Sequence, residues 1–222
     1  AYGTESVPRV NVVVGPGTKY VAQAKKLVYG EVGIDLLAGP TEVMVVADDS
    51  AHPEWVAADL LAQAEHDPDA QAVLVTPSRK LAEAVQEAVG RLVSALPEGA
   101  VARKSLAGNS CIVLIDRIGD AAAIANRKAP EHLELALNAG EERDALEAEC
   151  RNYGSIFIGH RTAEVLGDYA AGLNHTLPTS GSAFFTGGLS VRHFLKTVTT
   201  LRTAENGGEA GLPPTSPVLS GW

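Results

Sequence analysis

Short β-branched runs alternate with amphipathic stretches along most of this chain. The runs Val10–Val14, Val43–Ala47, Ala72–Thr76, Cys111–Ile115, Leu133–Leu137 and Ser155–Ile158 read as strands. Between them, Lys19–Tyr29, Pro53–His66, Arg79–Leu96, Ala121–Lys128, Glu141–Cys150 and Ala163–Ala171 carry apolar residues at helical spacing. VMVVA (43–47) and CIVLI (111–115) are apolar at every position. A strand of that kind has both faces covered, so helices are expected on both sides of the sheet. Alternating β and α elements with short connections predict an α/β fold, a doubly wound, Rossmann-like parallel sheet.

Punctuation supports several of these boundaries. Pro53 stands where a first-turn proline loses nothing by lacking an N–H. Ser78 and Asp120 precede helices that their side chains can cap. Gly172 is suited to end the Ala163–Ala171 helix in a left-handed conformation. From Glu205 to Trp222 the text is crowded with Gly, Pro, Ser and Thr and keeps no periodic apolar face, which predicts loop or disordered tail.

Composition narrows the function classes. The chain has 222 residues, 45% hydrophobic and 20% charged, the profile of a globular protein with a sizeable core. A formal net charge of −9 argues against a nucleic-acid footprint and against an electrostatic grip on anionic membrane. No apolar run reaches the ~20 residues of a membrane span. The opening AYGTESVPRV has neither the basic nor the apolar region of a secretory signal. It also lacks an initiator Met, so residue 1 reads as an internal position of a processed chain or a fragment. Cys111 and Cys150 form no disulfide framework; they fit a reducing, cytoplasmic setting and read as small buried hydrophobes.

Four constellations could carry chemistry. In LLAQAEHD, Gln63 and His66 stand three residues apart on one helix face, continuing a stripe from Val56 and Leu60, with Asp59 at its edge. They suit a metal or ligand site, or ordinary hydrogen bonds at a helix end. In APEHLEL, Pro130 disfavours helix at Ala129, so Glu131 and His132 are expected to open a strand. The pair offers two proton-transfer groups of different pKa, or a surface pair. Ligands in doubly wound sheets usually sit at the carboxyl ends of strands, so a Glu–His pair at a strand's start is unusual. GDYAAGLNHTLPTSG contains Asp168, Asn174 and His175; its carboxylate and imidazole could complete a metal site with Gln63 and His66, or be a solvated helix Asp and a turn His. In GPGTKY (15–20), Gly15 and Gly17 allow close backbone approach between a strand and a helix, although Tyr20 replaces the third glycine of a dinucleotide fingerprint. Together these residues point to a metal-assisted enzyme acting on a small polar substrate.

The blocks AYGTESVPRV, VVGPGTKYV, GIDLLAGPTEV, DLLAQAEHD, APEHLEL and GDYAAGLNHTLPT occur in that order and resemble histidinol dehydrogenase. The resemblance runs from Ala1 to about Val198 and covers the middle and later part of that family. It implies oxidation of L-histidinol to L-histidine through the aldehyde, with NAD and one zinc ion, in a homodimer. Gln63, His66 and Asp168 match zinc ligands. Glu131 and His132 match the catalytic acid/base pair. Thr41, Gln63, His66, His132 and Asp168 match substrate-binding positions. Thr18 stands at a cofactor contact that is usually Asn. His175 falls in a block lining the same pocket.

The resemblance also implies a domain plan. Residues 1–38 would be the last β-α piece of an NAD-binding domain, residues 39–182 a Rossmann-like zinc and substrate domain, and residues 183–222 an irregular C-terminal segment. The family's fourth zinc ligand, a His near the C-terminus donated across the dimer, has no counterpart after His193. Two other readings follow from the same residues: a related zinc and NAD alcohol dehydrogenase with another small alcohol as substrate, and a non-catalytic zinc-binding fragment.

Overall fold

The computed structural model describes residues 1–169 and 171–201. Its centre is a five-stranded, wholly parallel sheet. The strands are β3 (Glu42–Ala47), β4 (Gln71–Thr76), β5 (Cys111–Leu114), β6 (His132–Ala136) and β7 (Ser155–Ile158), in the spatial order β5-β4-β3-β6-β7. The chain enters at the central β3, winds outward to β5, then crosses back to β6 and winds out the other way. The order therefore reverses between β3 and β6.

Helices cover both faces of the central strands, as VMVVA predicts, but the CIVLI run is the partly exposed edge strand β5 and lacks the expected cover. On one face, α2 (Pro53–Ala64) and α3 (Arg79–Ala95) pack over Val43, Val45, Leu74 and Ala136. On the other, α5 (Ala121–Lys128) and α6 (Glu141–Glu149) pack over Met44, Val46, Val75, Leu133 and Leu135. Every residue of β3 is buried. Each such Val, Leu or Met removed from water contributes about 1.5–3 kcal/mol, so the central strands anchor the fold.

The first residues form a smaller β-α-β unit. β1 (Val12–Val13) pairs in parallel with β2 (Gly33–Ile34), and α1 (Lys19–Val28) links them. Lys25 is buried here; its Nζ lies 2.5 Å from Asp35 Oδ1 and 2.6 Å from the carbonyl oxygen of Gly15. The other oxygen of Asp35 accepts the Gly15 N–H at 2.7 Å. Burial alone would raise the Asp35 carboxyl, but the Lys25 ammonium and the Gly15 N–H outweigh it and hold the group below its ordinary value.

Several boundaries differ from expectation, each for a local reason. The Val10–Val14 run keeps only Val12–Val13 as strand, because its partner β2 is two residues long. That partner and α4 (Val101–Asn109) carry little periodic signal and are additions. The Ala163–Ala171 helix is instead a 3-10 segment, Glu164–Asp168. Its N-cap residue, Ala163, has no capping side chain and Gly167 sits inside it, so an α-helix is poorly supported. Gly172 does take a positive φ of 82°, but ends no helix. Helix α2 stops at Ala64, so His66 lies just beyond it rather than inside.

Ser78 caps α3, accepting the Leu81 N–H at 3.0 Å. Asp120 does not cap α5; its carboxylate accepts from the Arg117 backbone and guanidinium instead. Cys150 is buried as expected, whereas Cys111 is exposed because β5 is the edge strand. The Glu205–Trp222 tail lies outside the described residues. Among those described, no helix is long and apolar enough to cross a membrane.

Candidate active site

The site is built at the amino ends of β3 and β6. Helix α5 ends on Ala129, a buried alanine in the left-handed conformation (φ 49°, ψ 60°). Pro130 follows and blocks any return to helix. The chain therefore turns into β6 with Glu131 and His132 at its mouth. Gly154 backs this turn: a Cβ there would stand 2.5 Å from the Glu131 carbonyl oxygen and 3.2 Å from the Leu177 and Pro178 side chains. Glycine is required by that close approach.

Register aligns His132 with Val43, which brings the residues preceding β3 beside Glu131. One Glu131 oxygen, Oε2, accepts the Thr41 hydroxyl at 2.5 Å and the Glu42 N–H at 3.0 Å. Thr41 Oγ1 accepts in turn from Gln63 Nε2. The other Gln63 atom, Oε1, is buried and has no hydrogen-bond partner. Gln63 itself is 1% exposed, so this is a deeply placed acceptor left free.

His132 Nδ1 lies 3.2 Å from the Glu42 carbonyl oxygen. A carbonyl only accepts, so Nδ1 carries the proton and Nε2 keeps a lone pair. Nε2 faces Glu164 Oε1 at 3.5 Å. Just past α2, His66 repeats the pattern: Nδ1 lies 3.0 Å from the Ala62 carbonyl oxygen, leaving Nε2 free. Asp168 ends the 3-10 segment. Its negative charge raises both His132 and Glu164.

Burial dominates the titration here. It pushes the Glu131 carboxyl up to about 7, against the opposing hydrogen bonds from Thr41 and the Glu42 N–H. It drives His132 down to about 4, so the imidazole is neutral near pH 7. Glu164 is raised by burial and by Asp168. Glu134, next along the same face of β6, is also raised, by burial and by Asp59 on α2.

A cavity of about 480 Å³ opens beside this cluster. Thr18 and Gly17 of the GPGT turn line one side, Thr41 and His66 the other, with Lys104 of α4. Gly17 is needed in that turn because a Cβ would meet the Val21 side chain at 2.6 Å. The structure thus places the expected cofactor position, Thr18, on the same cavity as Thr41 and His66, whereas Gln63, His132 and Asp168 do not line it.

The third constellation is only partly assembled. Asn174 is engaged in bracing its own loop, donating to the Leu189 carbonyl and accepting the Thr176 N–H. His175 is exposed. Among the described residues, no group of three or more His, Cys, Asp and Glu is arranged to hold a metal ion. The residues that sequence reasoning missed are Glu42, Glu134 and Glu164. A glutamate between leucines in a buried strand, as in HLELA, was the available signal for Glu134.

Comparison with known proteins agrees with this arrangement. The family pattern described as histidinol dehydrogenase matches residues 1–215, further than the expected limit near Val198. Histidinol dehydrogenase of Methylococcus capsulatus is 50% identical over 209 residues, covering 94% of this chain and 47% of that protein. The Pseudomonas aeruginosa protein of the same name is 46% identical over 220 residues, or 99% of this chain and 49% of its own length. A crystal structure of histidinol dehydrogenase from Elizabethkingia anophelis superposes with a TM-score of 0.82 at 39% identity, over 89% of this chain and 45% of that one. The chain spans about half the length of the relatives it matches. With the family pattern running through the sheet and the site alike, this chain belongs to the histidinol dehydrogenase family.

Proposed function

We propose that this chain forms the substrate half of an NAD- and zinc-dependent histidinol dehydrogenase, which oxidises L-histidinol to L-histidine by way of the aldehyde. The observation that carries this reading is the free, buried Gln63 Oε1 beside the Thr41–Glu131 hydrogen bond. A buried acceptor without a hydrogen-bond partner is suited to a cation. With His66 Nε2 and the Asp168 carboxylate it makes an oxygen and nitrogen donor set suited to zinc. Zinc held by Gln63, His66 and Asp168 would supply a Lewis acid that orients the substrate, and NAD would supply the hydride acceptor.

The chain's own groups move the protons. His132 Nε2 takes the hydroxyl proton as the alcohol becomes the aldehyde. Its neutral state at pH 7 and its fixed tautomer leave that lone pair available. Glu131 then takes a proton from the water that adds to the aldehyde. Oε2 is occupied by Thr41 and the Glu42 N–H, so Oε1 is the oxygen left to act. A carboxyl raised to about 7 is a stronger base than an exposed one and is substantially ionised near neutral pH.

The remaining assignments belong to the same proposal. Residues 39–182 form a Rossmann-like zinc and substrate domain. Residues 1–38, a β-α-β unit rather than the expected β-α piece, belong to a second, NAD-binding domain in which Thr18 meets the cofactor; residues 183–222 are the C-terminal segment. The working form is a cytoplasmic homodimer. Zinc content and histidinol-dependent NADH formation, measured on Gln63→Ala, His66→Ala and Asp168→Ala, test the reading. Loss of zinc and turnover is expected in each. Normal metal content in all three would reject the ligand set. Oxidation of a non-imidazole alcohol faster than histidinol would favour a related dehydrogenase instead.

A further inference from the structure

We infer that Thr41 is the positioning residue that fixes which atom of the Gln63 amide is offered to the metal. The inference rests on the proposed zinc site and adds a role for a residue outside the ligand set. A threonine hydroxyl has one proton to give and lone pairs to receive. Glu131 Oε2 takes that proton, because the same oxygen also receives the Glu42 N–H and so stands as an acceptor here. Thr41 then has only lone pairs left for Gln63, so it must face the amide NH2. The amide oxygen is left over, and it is this oxygen that is buried without a partner.

A flipped amide would set a hydrogen-bond donor, which no cation accepts, in its place. One hydroxyl thus links the ligand on α2 to the carboxylate at the mouth of β6. Neither Gln63 nor Glu131 can be reoriented without breaking its bond to Thr41. Groups that orient metal ligands commonly change metal affinity ~10–100-fold when removed.

The test is zinc affinity, measured without substrate by competition with a chromophoric chelator, on Thr41→Val, Thr41→Ala, Thr41→Ser and Gln63→Leu. Circular dichroism and thermal melting confirm that each is folded. Thr41→Val is expected to bind zinc at least ~10-fold more weakly, and Thr41→Ser within ~3-fold of the parent. Thr41→Val combined with Gln63→Leu should bind no worse than Gln63→Leu alone, because the hydroxyl acts only through the amide. If Thr41→Val misfolds, the contrast between Thr41→Ala and Thr41→Ser carries the same information. Zinc affinity unchanged in both Thr41→Val and Thr41→Ala, with Gln63→Leu impaired, overturns this inference and leaves the ligand set standing. Unchanged affinity in Gln63→Leu overturns both.

Discussion

The two ends of β3 and β6 invite comparison, because the same pair of strands presents polar groups at each. At the carboxyl ends, Ser50 and Asn138 meet through His160, whose Nε2 lies 3.2 Å from Ser50 Oγ and 3.2 Å from Asn138 Oδ1. This is the switch point of the strand order, where open α/β sheets usually bind ligands. At the amino ends, Thr41, Glu131 and His132 converge with Gln63. The difference is burial. Ser50 and Asn138 are exposed, whereas Gln63, Glu131 and His132 are each less than a tenth exposed. Topology offers a crevice at one end, but desolvated acids and bases gather at the other. Shifted proton affinities follow desolvation rather than strand polarity.

Removing a base at each end is the sharpest way to break that contrast. His132→Ala should lower histidinol-dependent NADH formation by ~100-fold or more. His160→Ala should change it by less than ~3-fold, and an equal loss would move the chemistry to the carboxyl end. Glu131→Gln comes next. It should slow oxidation of supplied aldehyde by ~100-fold while sparing the first oxidation more. In the parent, the aldehyde step should accelerate as pH rises through about 7, since Glu131 must be ionised to take a proton. A flat profile across that range would remove Glu131 as the base.

Two smaller effects refine the picture. Gly154→Ala pushes a methyl against the Glu131 carbonyl and should cost ~1–3 kcal/mol in chemical denaturation, with reduced turnover. Glu134→Gln tests burial through linkage. Glu134 is raised in the folded protein, so between its unfolded and folded values the folded state holds a proton that the unfolded state has released. Its contribution to stability therefore falls as pH rises through that interval. Glu134→Gln should match the parent near pH 4 and exceed it by on the order of 1 kcal/mol at pH 8. Parallel curves would show that the carboxyl titrates as an exposed one.

The sheet was legible because VMVVA and the AVLV run carry continuous apolar text, and helices α2 and α3 carry the boundary residues Pro53 and Ser78. Segments without such text were less so. β2 is two residues long, and the 3-10 segment at Glu164 resembles a helix only in composition. Within the site, sequence blocks singled out Thr41, Gln63, Glu131 and His132 one by one. Their connection was not legible, since it depends on the register that sets His132 against Val43 and brings Glu42 alongside. Glu164 escaped notice because nothing near it in sequence hints that it faces an imidazole 32 residues earlier in the chain. Cys111 was misjudged because edge position is a property of the sheet, not of the strand.

The Lys25–Asp35 pair has a consequence for how the first segment comes apart. Both charged groups are out of water, and between them they hold Gly15 by its N–H and by its carbonyl. Losing either partner leaves the other as an uncompensated buried charge, typically a ~3–5 kcal/mol penalty. The cost is relieved only when the survivor reaches solvent, and that requires α1, the GPGT turn and β2 to release together. The first segment should therefore behave as one cooperative opening unit. In Asp35→Ala, amides on α1 and β2 should lose protection from hydrogen exchange in a single step, while those of the central sheet keep theirs.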